Sequence, residues 1–367
     1  MLIAHSLAAR PALRHAGHWE CGRGRGRRSA NVGAVGLDTD LSRQSDRRFT
    51  VAVEPHRREL LVHCYRMLGS VHDAQDAVQE TMTRAWRAFE RYDEELASMR
   101  TWLYRIATNV CLTALASRSR RPLPADVGPM FDDPEAPFAP GFEIPWLQPL
   151  PDALLGAAPV DPADLTIERV QLRLGIVAAL QLLPPKQRAA LVLCEALDLP
   201  AKQVAVMLDT TPAAVNSALQ RARHTLASAQ VNVDAPVDSK ESQRVAVDAW
   251  AAAFEAADVA ALQRLVLADV VLEMPPMRNW YRGAAKYAAF MSRIYRSRGT
   301  SWHTVPIQAN GQAGCAAYRL DEHGRFVLHT VQMFTVEDGR ITRVTVFQDA
   351  EVFALFDLPD EWVPEIQ

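Results

Sequence analysis

Eleven prolines fall between Pro122 and Pro162, and residues 122–165 carry eight acidic side chains with no lysine or arginine. Proline lacks an amide donor and disfavours helix at the residue before it. No helix or central strand can run through such a stretch, so the chain must build separate bodies on either side of it. Its 367 residues also exceed one typical domain. The stretch itself reads as an extended, irregular, acidic connector. It contains two apolar islands, Pro145-Trp146-Leu147 and Asp152-Ala153-Leu154-Leu155. A solvated spacer seldom carries a tryptophan, so this tether is expected to dock on something.

Charge is segregated around the connector. Residues 1–48 hold nine arginines against four acids, 49–121 eleven against nine, and 166–230 seven bases against four acids. Residues 231–367 are acidic, with eighteen acids against thirteen bases. Basic blocks flanking an acidic tether permit nucleic-acid contact from two separate surfaces. A composition of 49% hydrophobic and 23% charged residues argues against wholesale disorder. No apolar run approaches the roughly 18 residues of a membrane span. Five scattered cysteines (Cys21, Cys64, Cys111, Cys194, Cys315) lack CxxC spacing, which fits a reducing, cytoplasmic compartment without disulfides or a zinc site. No metal and no cofactor is expected. The start, with Arg23-Gly24-Arg25-Gly26-Arg27-Arg28, reads as a disordered basic arm over 1–48, or as a start codon placed too early. Its apolar stretch is too short for a secretory signal.

Beyond the arm, 49–121 reads as a helical domain. Val78, Met82, Trp86 and Phe89 form one apolar stripe, and a later helix over about 99–117 buries Leu103, Ile106, Val110 and Ala114. After the connector (122–164), a second helical domain spans 165–230. In it Pro184-Pro185 stops one helix, and 201–208 and 212–229 are short helices joined at Asp209-Thr210-Thr211. That pair has the form of a helix-turn-helix: Thr211 suits an N-cap, Pro212 the first turn, and Val215, Leu219, Ala222 and Leu226 a buried seam. Thr211, Asn216, Ser217, Gln220, Arg221 and Arg223 are then left to meet phosphates and base edges. A linker at 231–241 leads to a last block, 242–367, of helices followed by antiparallel strands at 270–274, 302–308, 313–320, 325–336 and 340–349. Asp321–Gly324 and Asp338-Gly339 supply the hairpin turns.

The run from Arg66 through Asp73-Ala74-Gln75-Asp76-Ala77-Val78-Gln79-Glu80 to Trp86, continued by Thr101–Asn109, resembles region 2 of the sigma-70 group of bacterial RNA polymerase sigma factors. Leu183-Pro184-Pro185-Lys186-Gln187-Arg188 through Arg223 resembles region 4. Their order and spacing match the small extracytoplasmic-function branch. The resemblance implies a sigma factor that binds core polymerase, at its clamp and flap, and promoter DNA, with no membrane partner. It assigns polymerase docking to Asp73, Asp76, Gln79, Glu80 and Arg84. It assigns opening of the −10 element to Arg91, Arg100, Trp102, Arg105 and Asn109, and −35 reading to the helix-turn-helix residues above. Asn216 and Gln220 depart from the basic residues and histidine common there, which bears on which −35 sequence is read.

Trp280-Tyr281-Arg282-Gly283, Phe326–Val336, Asp338–Ile341 and Phe347–Pro359 resemble SnoaL-like, cone-shaped α+β domains. The fold expected is therefore multidomain: two all-α domains, the second ending in a helix-turn-helix, then a SnoaL-like α+β domain. Glu273, Trp280, His303, His329 and Asp349 are candidates to line a pocket in the last. No acid and base stand at a spacing that assigns catalysis, so the chain is not expected to be an enzyme. Modulation of the sigma domains, through an anti-sigma factor or a small ligand bound there, is the expected role. The alternatives are a ligand-sensing helix-turn-helix regulator acting without polymerase, and a SnoaL-like cyclase or isomerase.

Overall fold

A computed structural model describes residues 46–117, 120–156, 172–228 and 238–363. The arm over 1–45, the onset of the second helical block at 165–171 and the linker residues 231–237 lie outside the described residues. Helix begins at residue 46, slightly ahead of the expected onset.

After that opening helical stretch, which buries Phe49 and Val53, the first body is built on three longer helices: α1 (Arg57–Leu68), α2 (Val71–Ala88) and α3 (Met99–Ala116). Ser70 and Ser98 cap α2 and α3, each hydroxyl accepting an amide from the first turn. Gly69 ends α1 at φ 69°, a left-handed conformation that leaves room for Leu147 and Gln181 against its Cα. The second body holds α4 (Leu174–Gln181), α5 (Pro185–Leu191), α6 (Ala201–Met207) and α7 (Pro212–Ser228), with a π-helical turn over Val192–Ala196. Helix α5 therefore passes directly into the π turn at Leu191. Val215, Leu219, Ala222 and Leu226 are buried as the seam requires, and the Thr211 hydroxyl caps α7.

The C-terminal body has α8 (Lys240–Glu255), α9 (Val259–Leu265) and α10 (Ala284–Arg298), then α11 (Ala350–Leu355). Its strands are β1 (Val266–Glu273), β2 (Trp280–Arg282), β3 (Trp302–Ala309), β4 (Gln312–Leu320), β5 (Phe326–Glu337), β6 (Arg340–Phe347) and β7 (Glu361–Trp362). The sheet order is β2-β1-β6-β5-β4-β3, with β7 on β5. One expectation is corrected: the sheet is mixed, because β1 runs parallel to β6. The chain reaches β6 from β1 through a helix and a meander, a crossover that a simple hairpin reading does not anticipate.

One sheet face packs on the helices around an aromatic stack. Trp250 lies 4.8 Å from both Phe254 and Phe334, Trp302 is 5.2 Å from Phe254, and Trp250 donates to the Tyr287 hydroxyl at 2.7 Å. The other face, through Ala309, Ala316, Val331, Met333 and Phe347, joins the same apolar core as α1–α7. The connector lies between these bodies, with Leu147 and Leu150 fully buried and Trp146 nearly so.

Candidate nucleic-acid interface

On α2, Asp76, Gln79, Glu80 and Arg84 are exposed on one face, and Glu80 pairs with Arg84 at 2.7 Å. Asp73 is turned inward: its carboxylate accepts from Arg121 at 2.6 Å, with both side chains largely covered. Arg121 also donates to the Trp146 carbonyl at 3.3 Å, so this ion pair links α2 to the connector. Trp86, expected in the buried stripe, is 53% exposed. The stripe is centred on Ala74, Ala77, Thr81 and Ala85, and each i,i+4 step drifts about 40°, carrying Trp86 off it. Trp86 instead borders a groove of about 890 Å³ shared with Gln79, Met82, Thr83, Arg57 and, from the connector, Leu154.

Arg91 and Arg105 are exposed beside the loop that precedes α3, and Asn109 is exposed further along that helix. Arg100 pairs with Glu59 at 2.7 Å and lies 5.1 Å over the Tyr104 ring. Partial burial works against its charge, but Glu59 and Tyr104 outweigh that and raise its pKa. Trp102 is half-buried against Tyr92, with ring centres 5.0 Å apart. Arg91, Tyr92, Trp102 and Arg105 line a cleft of about 660 Å³. Its opposite wall is Gln203, Val206 and Met207 of α6, and Gln203 donates to the Thr101 hydroxyl at 2.9 Å. The first helix of the helix-turn-helix is thus seated on the surface that carries the −10 candidates.

Along α7, Asn216, Gln220, Arg221 and Arg223 are exposed, and Ser217 is half-buried. Arg221 donates to Ser217 at 3.1 Å, while Arg223 pairs with Glu195 at 2.7 Å. The polar row is continuous and free of apolar cover, as a groove-reading helix requires.

A junction that the sequence did not announce holds these surfaces together. Arg188, 2% exposed, donates to the carbonyls of Met67, Gln181 and Leu183 and to the Gln181 side chain. It caps α1 from the second body, and burial lowers its pKa to about 10. Gln148 of the connector bonds Ser70, Val71 and, through its backbone, Gly69 and Tyr65. Asn310, at the tip of the β3–β4 hairpin and fully buried, joins everything. Its amide donates to the Tyr65 hydroxyl (2.9 Å) and the Leu172 carbonyl (2.7 Å), and its oxygen accepts from Leu150 N (2.8 Å). Beside it, Gly311 N reaches Asp152, and Gln312 accepts from Leu174 N at 2.8 Å. The Asn-Gly dipeptide was a readable hairpin signal, but its long-range partners were not.

The five pocket candidates do not converge. Glu273 is buried on β1, paired with Arg343 at 2.7 Å and hydrogen-bonded to Thr345. Trp280, its cross-strand neighbour, donates to Gly128 of the connector. His303 stacks on Trp362 at 3.6 Å, at the opposite edge of the sheet. His329 lies against Trp302 at 5.4 Å, with burial and then Arg298 and Arg319 lowering its pKa to about 4. Asp349 caps α11. Residue type suggested a pocket, but strand alternation and sheet order scatter the five among separate contacts.

Two helical bodies, one presenting a helix-turn-helix, with a sheet domain appended, define a DNA-binding transcription factor. Family models for Sigma-70 region 2, Sigma-70 region 4 and a SnoaL-like domain match residues 52–121, 173–226 and 247–344. The ECF RNA polymerase sigma factor SigG of Mycobacterium tuberculosis is 41% identical over 343 residues, covering 91% of this chain and 90% of the relative. SigJ of the same species is 27% identical over 319 residues, 84% of this chain and 91% of the relative. The crystal structure of SigJ superposes with a TM-score of 0.59 at 22% identity, over 83% of this chain and 98% of that one, and so shares the fold. The chain belongs to the extracytoplasmic-function (ECF) sigma factors of RNA polymerase, and its function is promoter-specific initiation of transcription.

Proposed function

We propose that the exposed α2 row Asp76, Gln79, Glu80 and Arg84, extended by the Trp86 groove, docks on core polymerase, and that Asp73 serves only to hold the connector. Arg91, Trp102, Arg105 and Asn109 then open the −10 element, stacking and hydrogen-bonding a base taken out of the duplex. Helix α7 reads the −35 element, with Asn216 and Gln220 suited to adenine and Arg221 to phosphate. The C-terminal domain acts as a gate, not as an enzyme, in the cytoplasm where polymerase works.

The observation that carries this reading is the seat of α6 on the face of Arg91, Trp102 and Arg105, where Gln203 bonds Thr101, together with the Asn310 junction between α1, the connector and Leu172. Two promoter elements about 25 base pairs apart lie on the order of 80 Å apart along the duplex. Helix bodies bonded to each other cannot reach both, so the described arrangement is the closed one, and separation precedes promoter binding. Run-off transcription with purified core polymerase tests this. Trp86→Ala should weaken association with core polymerase at least tenfold without altering the fold, because the side chain is exposed. Unchanged association would remove the groove from the docking surface. The aromatic filling of the sheet–helix interior and the dispersal of His303, His329 and Asp349 argue against turnover as a second role.

A further inference from the structure

The connector is more than a spacer, because residues 128–143 are bound by the C-terminal domain as a ligand would be. Phe131 N donates to the Trp280 carbonyl at 3.0 Å, Arg278 N to the Ala139 carbonyl at 2.8 Å, and Gly141 N to the Pro276 carbonyl at 2.9 Å. Side chains repeat the pattern with charge. Lys286 holds Asp132 at 2.8 Å, Arg296 holds Glu135, and Arg278 holds Glu143. Arg293 donates to the carbonyls of Pro134 and Ala136 at 2.7 Å each and lies 4.5 Å over the Phe138 ring. Four cations of one surface are thus engaged by an acidic strap that has no base of its own.

Three of these cations, Lys286, Arg293 and Arg296, share α10. Seven and ten residues of helix place them within roughly 15 Å of axis. That is the rise of about four base pairs, and guanidinium forks match phosphate oxygens as they match carboxylates. The strap's acids and the phosphates of a duplex are therefore alternative occupants of one row. We propose that Arg278, Lys286, Arg293 and Arg296 form a second, sequence-independent DNA-backbone site. The strap of residues 128–143 masks it in the closed arrangement and yields it to duplex when it lifts. DNA is favoured over another protein because this chain already works on a duplex, so phosphates are held beside the row at high local concentration. The proposal rests on the sigma-factor reading only for that proximity.

Direct binding of full-length chain to a fluorescent 30-base-pair duplex without promoter elements, in the absence of polymerase, tests it. Neutralising the strap (Asp132→Asn, Glu135→Gln, Glu143→Gln, all exposed) should tighten binding about tenfold near 0.1 M salt. It should also steepen the salt slope by about two to three, as expected for three added phosphate contacts. Adding Lys286→Ala, Arg293→Ala and Arg296→Ala should erase the gain and leave the α7 contribution intact. A second variant, with 129–143 replaced by an equal length of Gly-Ser, removes Phe131 and Phe138 as well and should show the same gain. No gain in either variant, or a gain that survives loss of the row, would overturn the proposal. So would binding of a free 128–145 peptide by the Gly-Ser variant with no tightening on duplex, which would make the row a peptide site. Transcription with core polymerase can succeed or fail independently of these outcomes.

Discussion

Asn310→Ala is the sharpest test of the closed arrangement. The substitution strips three hydrogen bonds from a fully buried position and leaves the Leu150 amide and the Leu172 carbonyl without partners. Each buried orphan costs about 1–3 kcal/mol, whereas the strain of alanine at the φ of 58°, about 1 kcal/mol, stays with the hairpin in both forms and drops out of their ratio. Allowing for water reaching the opened site, about 3 kcal/mol is a fair total, near two decades in the ratio of closed to open forms. The cost falls on the closed form, because in the open form all these groups meet solvent. Hydrogen exchange reads the outcome best at amides that the substitution does not touch, Leu147 (bonded to the Pro122 carbonyl) and Gln148 (bonded to that of Gly69). Their protection should fall by one to two decades, and transcription from a cognate promoter should rise. Asn310→Gly keeps the turn conformation and should give nearly the same result, separating loss of the amide from backbone strain. Protection unchanged at both amides in both variants would refute the view that Asn310 holds the bodies together.

Gly69→Ala should destabilise the chain by roughly 2 kcal/mol in chemical denaturation, since a Cβ there would stand 2.9 Å from the Leu147 side chain at φ 69°. His63 is fully buried, and burial followed by Arg66 lowers its pKa to about 3 from 6.5. Between those values the unfolded chain binds a proton that the folded chain refuses, so the contribution is complete above pH 6.5. It is lost at about 1.4 kcal/mol per unit as pH falls toward 3. A pH series of denaturation midpoints should show wild type losing more stability than His63→Gln between pH 6.5 and 4.5, and parallel curves would contradict this. Arg221→Ala should weaken binding to −35 duplex and lower the salt slope by about one; an unaltered slope would return Arg221 to its bond with Ser217.

The helices, the helix-turn-helix seam and most strands were legible because they rest on local periodicity and caps. Val215, Leu219, Ala222 and Leu226 are buried as spacing required, and Asp338-Gly339 turns where a hairpin needed it. Strand β2 and helix α10 were not foreseen: three residues make too short a pattern, and the buried face of Ala284–Arg298 is divided among β1, β2 and the helices α8 and α9. The polymerase-docking candidates were legible as a polar face, but the pairing of Asp73 with Arg121, a residue 48 positions away, was not. The placement of the pocket candidates was hidden for a related reason, since composition names polar residues but sheet order decides which of them meet. Trp146 and Leu147 announced that the connector docks, whereas Gln148 has no distinctive spacing and Asn310-Gly311 signals a turn but not the partners that fix where.

On the proposed separation of the bodies, the placing of Asn310 favours an opening that is concerted rather than piecemeal. One carboxamide is shared by the connector, by α1 through Tyr65 and by the approach to α4 through Leu172. Any influence that withdraws it, from whichever side, strips the same bonds from every neighbour at once. Under that proposal, such wiring would turn a graded push on one surface into a step-like response.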